Sequence, residues 1–289
     1  MPTTTSAVAG SGGPPIPPPR QQGPRGRMWC TDECVFCGNR PTTVEDVWPK
    51  WIGRYLGRRP TRTITGGTRV PISTPFKSLS NLAKAQCVCR ACNTTWMSQI
   101  EKRTSKLIKV MFNETIALQL GGASDGSQYR VAQWAMKTAL MLQYVHPDDC
   151  IPAAVFREFY ATRQPPQECV IFLARHHVQR TATGAHSLAW SLNVGSATGS
   201  EERIRGDMYG VTYFIQNVIL QVIGYRLPVR GTPDLVFPQA FAPYVQRLWP
   251  IGISVDWPPS LRMNDAQLVA FGRSLEAIQR GRQGVTTGR

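Results

Sequence analysis

Histidine is scarce in this chain: there are 4 in 289 residues, and none precedes His146. A metal site in the first half must therefore come from cysteine or carboxylate, and no imidazole is there to act as a base. Acidic residues are scarce in the same half. Residues 1–110 hold only Asp32, Glu33, Glu45, Asp46 and Glu101 against 17 Lys and Arg, a net of +12 within a whole-chain charge of +15. The remaining 179 residues carry 16 basic against 13 acidic side chains, net +3. So uneven a balance points to a polyanion partner for the first half, nucleic acid before anionic lipid, and DNA is the expected one. Long apolar runs are also missing. The longest candidate, Tyr209 to Tyr225, is interrupted by Gln216, Asn217 and Gln221 and is not a membrane span. Residues 1–27 lack an apolar leader core and place their first charge at Arg20, so a cytoplasmic protein is expected. There is no internal repeat and no phosphate-cradling glycine loop.

Cysteine, by contrast, is concentrated. Of 8 cysteines, Cys30, Cys34, Cys37, Cys87, Cys89 and Cys92 fall in two short clusters. Each cluster contains a Cys-x2-Cys pair: Cys34-Val35-Phe36-Cys37-Gly38, and Cys89-Arg90-Ala91-Cys92-Asn93 at the head of a helical pattern. Two such turns brought together supply the four thiolates of a tetrahedral structural zinc site. Clustering of this kind in a reducing compartment favours metal over disulfides. Cys30 and Cys87 extend the two turns, as alternative ligands or bystanders, whereas Cys150 and Cys169 are isolated and expected to be buried.

Between and after the pairs lie Thr43-Val44-Glu45-Asp46-Val47-Trp48-Pro49-Lys50-Trp51 and Cys92-Asn93-Thr94-Thr95-Trp96-Met97-Ser98-Gln99-Ile100-Glu101. Together with the cysteine pairs, residues 34–101 resemble the zinc-ribbon branch of the HNH endonuclease superfamily, found in bacterial and phage proteins. Trp134-Ala135-Met136-Lys137-Thr138-Ala139-Leu140 and Leu248-Trp249-Pro250 also look like that branch. The resemblance implies a treble-clef, HNH-like ββα module holding a structural zinc. It also implies a second divalent ion, Mg2+ or another metal, for phosphodiester hydrolysis. Carried over residue by residue, Glu45 takes the acidic position, Asp46 the base position, Asn93 the orienting position and Glu101 a metal-facing position. The departure is at Asp46, where the family has histidine; a carboxylate is the poorer proton acceptor at neutral pH. Residue chemistry alone leaves other roles open: Glu45-Asp46 as acidic groups ahead of a helix, Asn93 as a helix N-cap, and Glu101 as a surface ion-pair partner.

The expected fold is α+β, a zinc-binding module over 28–120 followed by a mixed helix and strand domain over 128–280. Flexible tails are expected at 1–27 and 281–289, and the breaker cluster at 121–127 is the expected boundary. Pro49 predicts a short helix through Leu56, and residues 57–80 a loop or hairpin. A helix over 94–112 buries Trp96, Ile100, Leu107 and Met111 on one face, with Lys102, Lys106 and Lys109 on another and Arg103 beside them. With Arg54, Arg58 and Arg59 these form the candidate phosphate-binding set. Residues 129–145 read as a fully buried helix, and another follows Pro152. Strands are expected over 168–174 and 187–194, and over 210–225 with a break at Gln216-Asn217. A last helix is capped at Asn264 or Asp265, with Leu268, Phe271, Leu275 and Ile278 inward. His176-His177 follow a strand without a nearby carboxylate or cysteine and are read as structural or surface residues; His146, before Pro147-Asp148-Asp149, is read as part of a helix-end turn, with a metal site shared with those aspartates as the alternative. The functional expectation is an HNH-like zinc protein acting on nucleic acid, weakly active or inactive as a nuclease. The alternatives are a non-catalytic DNA-binding protein on the same scaffold, and a phage or bacterial structural protein.

Overall fold

Apolar periodicity decides most of the elements, and the computed structural model shows how they assemble. It describes residues 21–22, 28–56, 61–63, 65–66, 76–78, 84–121, 125–145, 151–177, 183–194, 204–226 and 239–272. The first half contains β1 (Gln21–Gln22), β2 (Met28–Cys30), β3 (Thr43–Asp46) and α1 (Lys50–Leu56). Next come β4 (Thr61–Thr63), β5 (Thr65–Gly66), β6 (Phe76–Ser78) and β7 (Lys84–Val88). A continuous helical run follows, made of α2 (Arg90–Cys92), a π-helical turn (Asn93–Met97) and α3 (Ser98–Met111). The second half has β8 (Leu118–Leu120), α4 (Ser127–Leu142), α5 (Ala153–Thr162), β9 (Cys169–Arg175), β10 (Thr183–Val194), β11 (Ile204–Ile215) and β12 (Val218–Arg226). It ends with β13 (Val245–Trp249), β14 (Val255–Trp257) and α6 (Asp265–Gly272). The class is α+β, as expected.

In the first half β1, β2, β7 and β3 form one sheet in that order, with β2 and β7 parallel and β3 and β7 antiparallel. The strand pair β3/β7 therefore leads directly into the α2–α3 helix. Part of the expected N-terminal tail is in this sheet, since β1 pairs with β2; the expected C-terminal tail lies outside the described residues. The insertion after α1 contains the antiparallel pair β4/β6, with Arg62 opposite Lys77.

The second sheet has the order β13-β9-β12-β11-β10-β5 and is antiparallel except for the β10/β5 pair. The break expected at Gln216-Asn217 is a tight β11–β12 connection in which Gln216 adopts a left-handed φ of 55°. Glycine is required at Gly224. The Tyr209 ring lies across it from the neighbouring strand, and a Cβ there would sit 2.1 Å from a ring atom. Helix α6 starts with a reciprocal cap: the Gln267 amide donates to Asn264 Oδ1 at 2.8 Å, and the Asn264 amide donates to Gln267 Oε1 at 2.9 Å. Leu268 and Phe271 point inward as expected, while Leu275 and Ile278 lie outside the described residues.

Helix α4 joins the two halves. It is apolar around its circumference and buried over nearly its whole length, between α3 on one side and the six-stranded sheet on the other. Tyr213 Oη donates to the Ala135 carbonyl at 3.0 Å, and Gln128 Nε2 donates to the Leu248 carbonyl at 3.1 Å. One hydrophobic core runs without interruption from Cys34, Phe36 and Trp48 through α4 and α5 to Trp257. Residues of both halves of the chain thus contribute to this core. Asp125 Oδ1 receives the Ser127 amide at 2.6 Å, which opens α4 after the left-handed Gly126. At the far end of α3 the Met111 carbonyl, left without a helical donor, accepts from Asn217 Nδ2 at 2.9 Å and Trp257 Nε1 at 3.0 Å. The helix carrying half of the cysteine site is therefore tied down at both ends.

Candidate metal centre and its polar neighbour

The first cysteine turn is closed by its backbone. The Gly38 amide donates to the Cys34 carbonyl at 2.8 Å with Gly38 at φ 77°, a conformation that glycine adopts without a Cβ penalty. The Val35 amide donates to the Cys87 carbonyl at 3.0 Å, so the turn is pinned against β7 two residues ahead of the second pair. Cys89 is extended (φ −79°, ψ 160°) and caps the helix, its sulfur accepting from the Cys92 amide at 3.5 Å. The four sulfurs of Cys34, Cys37, Cys89 and Cys92 lie within 4.8 Å of one another, and Cys37 and Cys89 sulfurs are 3.5 Å apart. Four Zn–S bonds of about 2.3 Å require S–S separations near ~3.7 Å, so the donor set fits one tetrahedral zinc ion. Among the described residues this is the one group of three or more His, Cys, Asp or Glu placed to hold a metal. Burial pushes the Cys92 and Cys37 thiols up. At Cys89 burial is outweighed by hydrogen bonds from the Cys92 amide and the neighbouring sulfurs, and that thiol lies below its ordinary value. A cation at the centre favours thiolate at all four. Cys87 and Cys169 are buried and are not members of the four-thiol group, and Cys150 lies outside the described residues.

Aromatic packing fixes the turn. Phe36 meets Trp96 edge-on at 4.9 Å and Phe156 of α5 at 5.7 Å. Arg163 stacks over Trp96 and Tyr160 at 4.6 Å and 4.2 Å. The helix begins at Arg90 behind the Cys89 cap, so Asn93 is not the N-cap of a 94–112 helix; it stands inside the π-helical turn. The inward face of α3 also differs by one position, with Ile108 fully buried where Leu107 was expected.

Beside the cysteines is a second cluster, made of the residues carried over from the nuclease resemblance. Glu45 and Asp46 lie in β3, not in a helix leader, and successive strand residues face opposite sides. Glu45 faces α3 and α4. Asp46 is turned to Lys50 on α1, 3.5 Å away. Asn93 reaches β3, its Nδ2 donating to Thr43 Oγ1 at 3.3 Å, and its side chain lies close enough to favour the ionised form of Glu45. Glu101 does not pair with Lys102 at the surface. It makes a close ion pair with Lys137 from the middle of α4, and Glu45 Oε1 lies 4.0 Å from the same ammonium. Lys137 is completely buried. Burial raises Glu45 to about 7, against the opposing pull of Lys137 and with Glu101 and Asp46 reinforcing the rise.

Three of the four carried-over positions therefore come together, and Asp46 does not join them. The divalent ion implied by the resemblance does not fit this arrangement, because the Lys137 ammonium already lies against both carboxylates. Lys137 is also the residue that sequence reasoning missed. Its signal was visible, as the one lysine in a helix whose apolar residues leave no solvent-facing side.

The basic candidates divide. Arg54, Lys102, Arg103 and Lys106 are exposed, while Lys109 is half-buried with its ammonium 5.8 Å from the Trp51 ring centroid. Arg58 and Arg59 lie outside the described residues, as do His146 and the neighbouring aspartates. His176 does have a carboxylate partner, 89 residues away: its Nε2 is 2.9 Å from Asp265 Oδ1, with its ring against Phe214. Among the described residues no helix is long and apolar enough to cross a membrane. Comparison with protein-family models, curated proteins and solved structures gives no match.

Proposed function

We propose that this protein binds nucleic acid, DNA first, through an HNH-like ββα module held together by a structural zinc, and that it binds without appreciable cleavage. The observation that carries the reading is on α3. Lys102, Arg103 and Lys106 remain exposed on a helix whose opposite face is buried against α4, in the half of the chain with a net charge of +12. A rigid row of cations spaced along one helix suits phosphate contact, and a zinc knuckle at the helix start holds its orientation. Arg54 on α1 and Lys109 extend the same charge.

Cleavage is left out of the proposal on chemical grounds. Attack on phosphorus needs a base for water and a cation for the leaving oxygen. Asp46 stands in the family's base position yet is turned to Lys50, and the charges of Glu45 and Glu101 are directed at Lys137. A weak metal-dependent nuclease is the second reading; the observation in its favour is that Glu45, Asn93 and Glu101 converge.

Duplex binding measured by fluorescence anisotropy across a salt series tests the proposal. Affinity should fall steeply with salt, and replacing Lys102, Lys106 and Lys109 with Gln should flatten the log–log slope by about 0.9 for each phosphate no longer neutralised. Salt-independent binding, or a slope unchanged in the triple variant, would count against the α3 face.

A further inference from the structure

Lys137 lies where two helices and a strand bring their charged groups together. Glu45 comes from β3, Glu101 from the first turn of α3, and Lys137 from the centre of α4. Its ammonium has no exposure to solvent, and it touches Glu101 while lying 4.0 Å from Glu45. A buried ammonium persists as a cation only where carboxylates surround it, and buried carboxylates persist as anions only beside a cation. The resemblance to the nuclease family places a divalent ion at this carboxylate pair, with Asn93 alongside. The chain instead supplies a cation of its own, covalently attached and delivered by the helix that joins the two halves.

We propose that Lys137 is the resident cation of this module: it takes the place of a divalent ion between Glu45 and Glu101, so that zinc is the metal held by the native chain and the carboxylate pair becomes metal-binding only when Lys137 is removed. The inference rests on the HNH-like reading for where an ion would be, and not on nucleic-acid binding. Because Lys137 is buried, DNA affinity and its salt dependence should be unchanged in the variants below, and the two ideas can fail separately.

The experiment uses the full-length, zinc-loaded protein at pH 8, with Mn2+ as probe and free Mn2+ read by electron paramagnetic resonance. Lys137→Met keeps a long unbranched side chain in the core and leaves the carboxylates without their cation. The variant should bind one Mn2+ at least about tenfold more tightly than the native chain, the scale on which loss of a supporting group alters metal affinity, and adding Glu101→Gln should undo the gain. Equal Mn2+ affinity in native and Lys137→Met proteins would overturn the proposal. So would a folded, zinc-replete Lys137→Met protein that binds no Mn2+. If Lys137→Met does not fold, thermal melting of the native protein decides: no upward shift with Mn2+ supports the proposal, and a shift that Glu101→Gln abolishes refutes it.

Discussion

Replacing Glu45 with Gln removes a largely buried group that titrates in the physiological range, and its surroundings set the sign of the effect. Glu45 is raised from its ordinary 4.5 to about 7, chiefly by burial. Lys137 from α4 and Asn93 from the π-helical turn pull it down, while Glu101 from α3 and, from the other side of β3, the charge of Asp46 push it up. A carboxyl raised on folding binds a proton more tightly in the native state than in the unfolded chain. Its contribution to stability is therefore complete below pH 4.5 and is lost as pH rises through about 7. Between pH 6 and pH 8 the native protein should therefore lose on the order of 1 kcal/mol of stability from this residue. Glu45→Gln should lack that component. Urea unfolding of both proteins at pH 6, 7 and 8 with zinc held constant gives two stability curves whose difference is the quantity sought. The native curve should fall more steeply than that of the variant between pH 6 and pH 8, whichever protein is the more stable at pH 6. Parallel curves would mean that Glu45 is solvated, and that the buried cluster with Lys137 is not as described.

Two further outcomes follow from the same geometry. Cys89→Ser should lower bound zinc from one per chain to near zero by elemental analysis. Because structural zinc binding in small modules is worth about 10 kcal/mol or more, hydrogen-exchange protection in α3 should fall with it; a protein that keeps both would not depend on the four-thiol site. Asp46→His should leave plasmid cleavage at background with Mg2+, Mn2+ or Ni2+, since position 46 faces Lys50 and not the Glu45–Asn93–Glu101 cluster. A gain of about 100-fold, the lower end of what a positioned general base supplies, would show that the introduced imidazole reaches a working site.

The elements easiest to read in advance were those with strong local causes. Pro49 and Pro152 set helix starts, the polar pair Gln216-Asn217 separated two apolar strands, and apolar residues on all sides of α4 announced a buried helix. The π-helical turn at Asn93 could not be read this way. Its extra residue per turn arises where the Cys89 cap and the packing of Trp96 both hold the chain, and neither leaves a period in the sequence. The core to which both halves contribute was likewise invisible, because no local pattern records which distant apolar residues meet.

By itself, the sequence determined the thiol set: spacing within each Cys-x2-Cys pair is a local property, and two such pairs need only meet to create a tetrahedral site. It also determined the charge of α3, since which residues are lysine does not depend on folding. What the polar positions do with their charge was decided by tertiary structure alone. Glu45, Asp46 and Glu101 read as a nuclease site in one dimension. Strand alternation sends Asp46 to Lys50, and α4 brings Lys137 from 36 residues beyond Glu101 against the other two. In a buried setting a carboxylate takes the nearest available cation, and which cation is nearest depends on helix packing across the chain, a relation that no local pattern encodes.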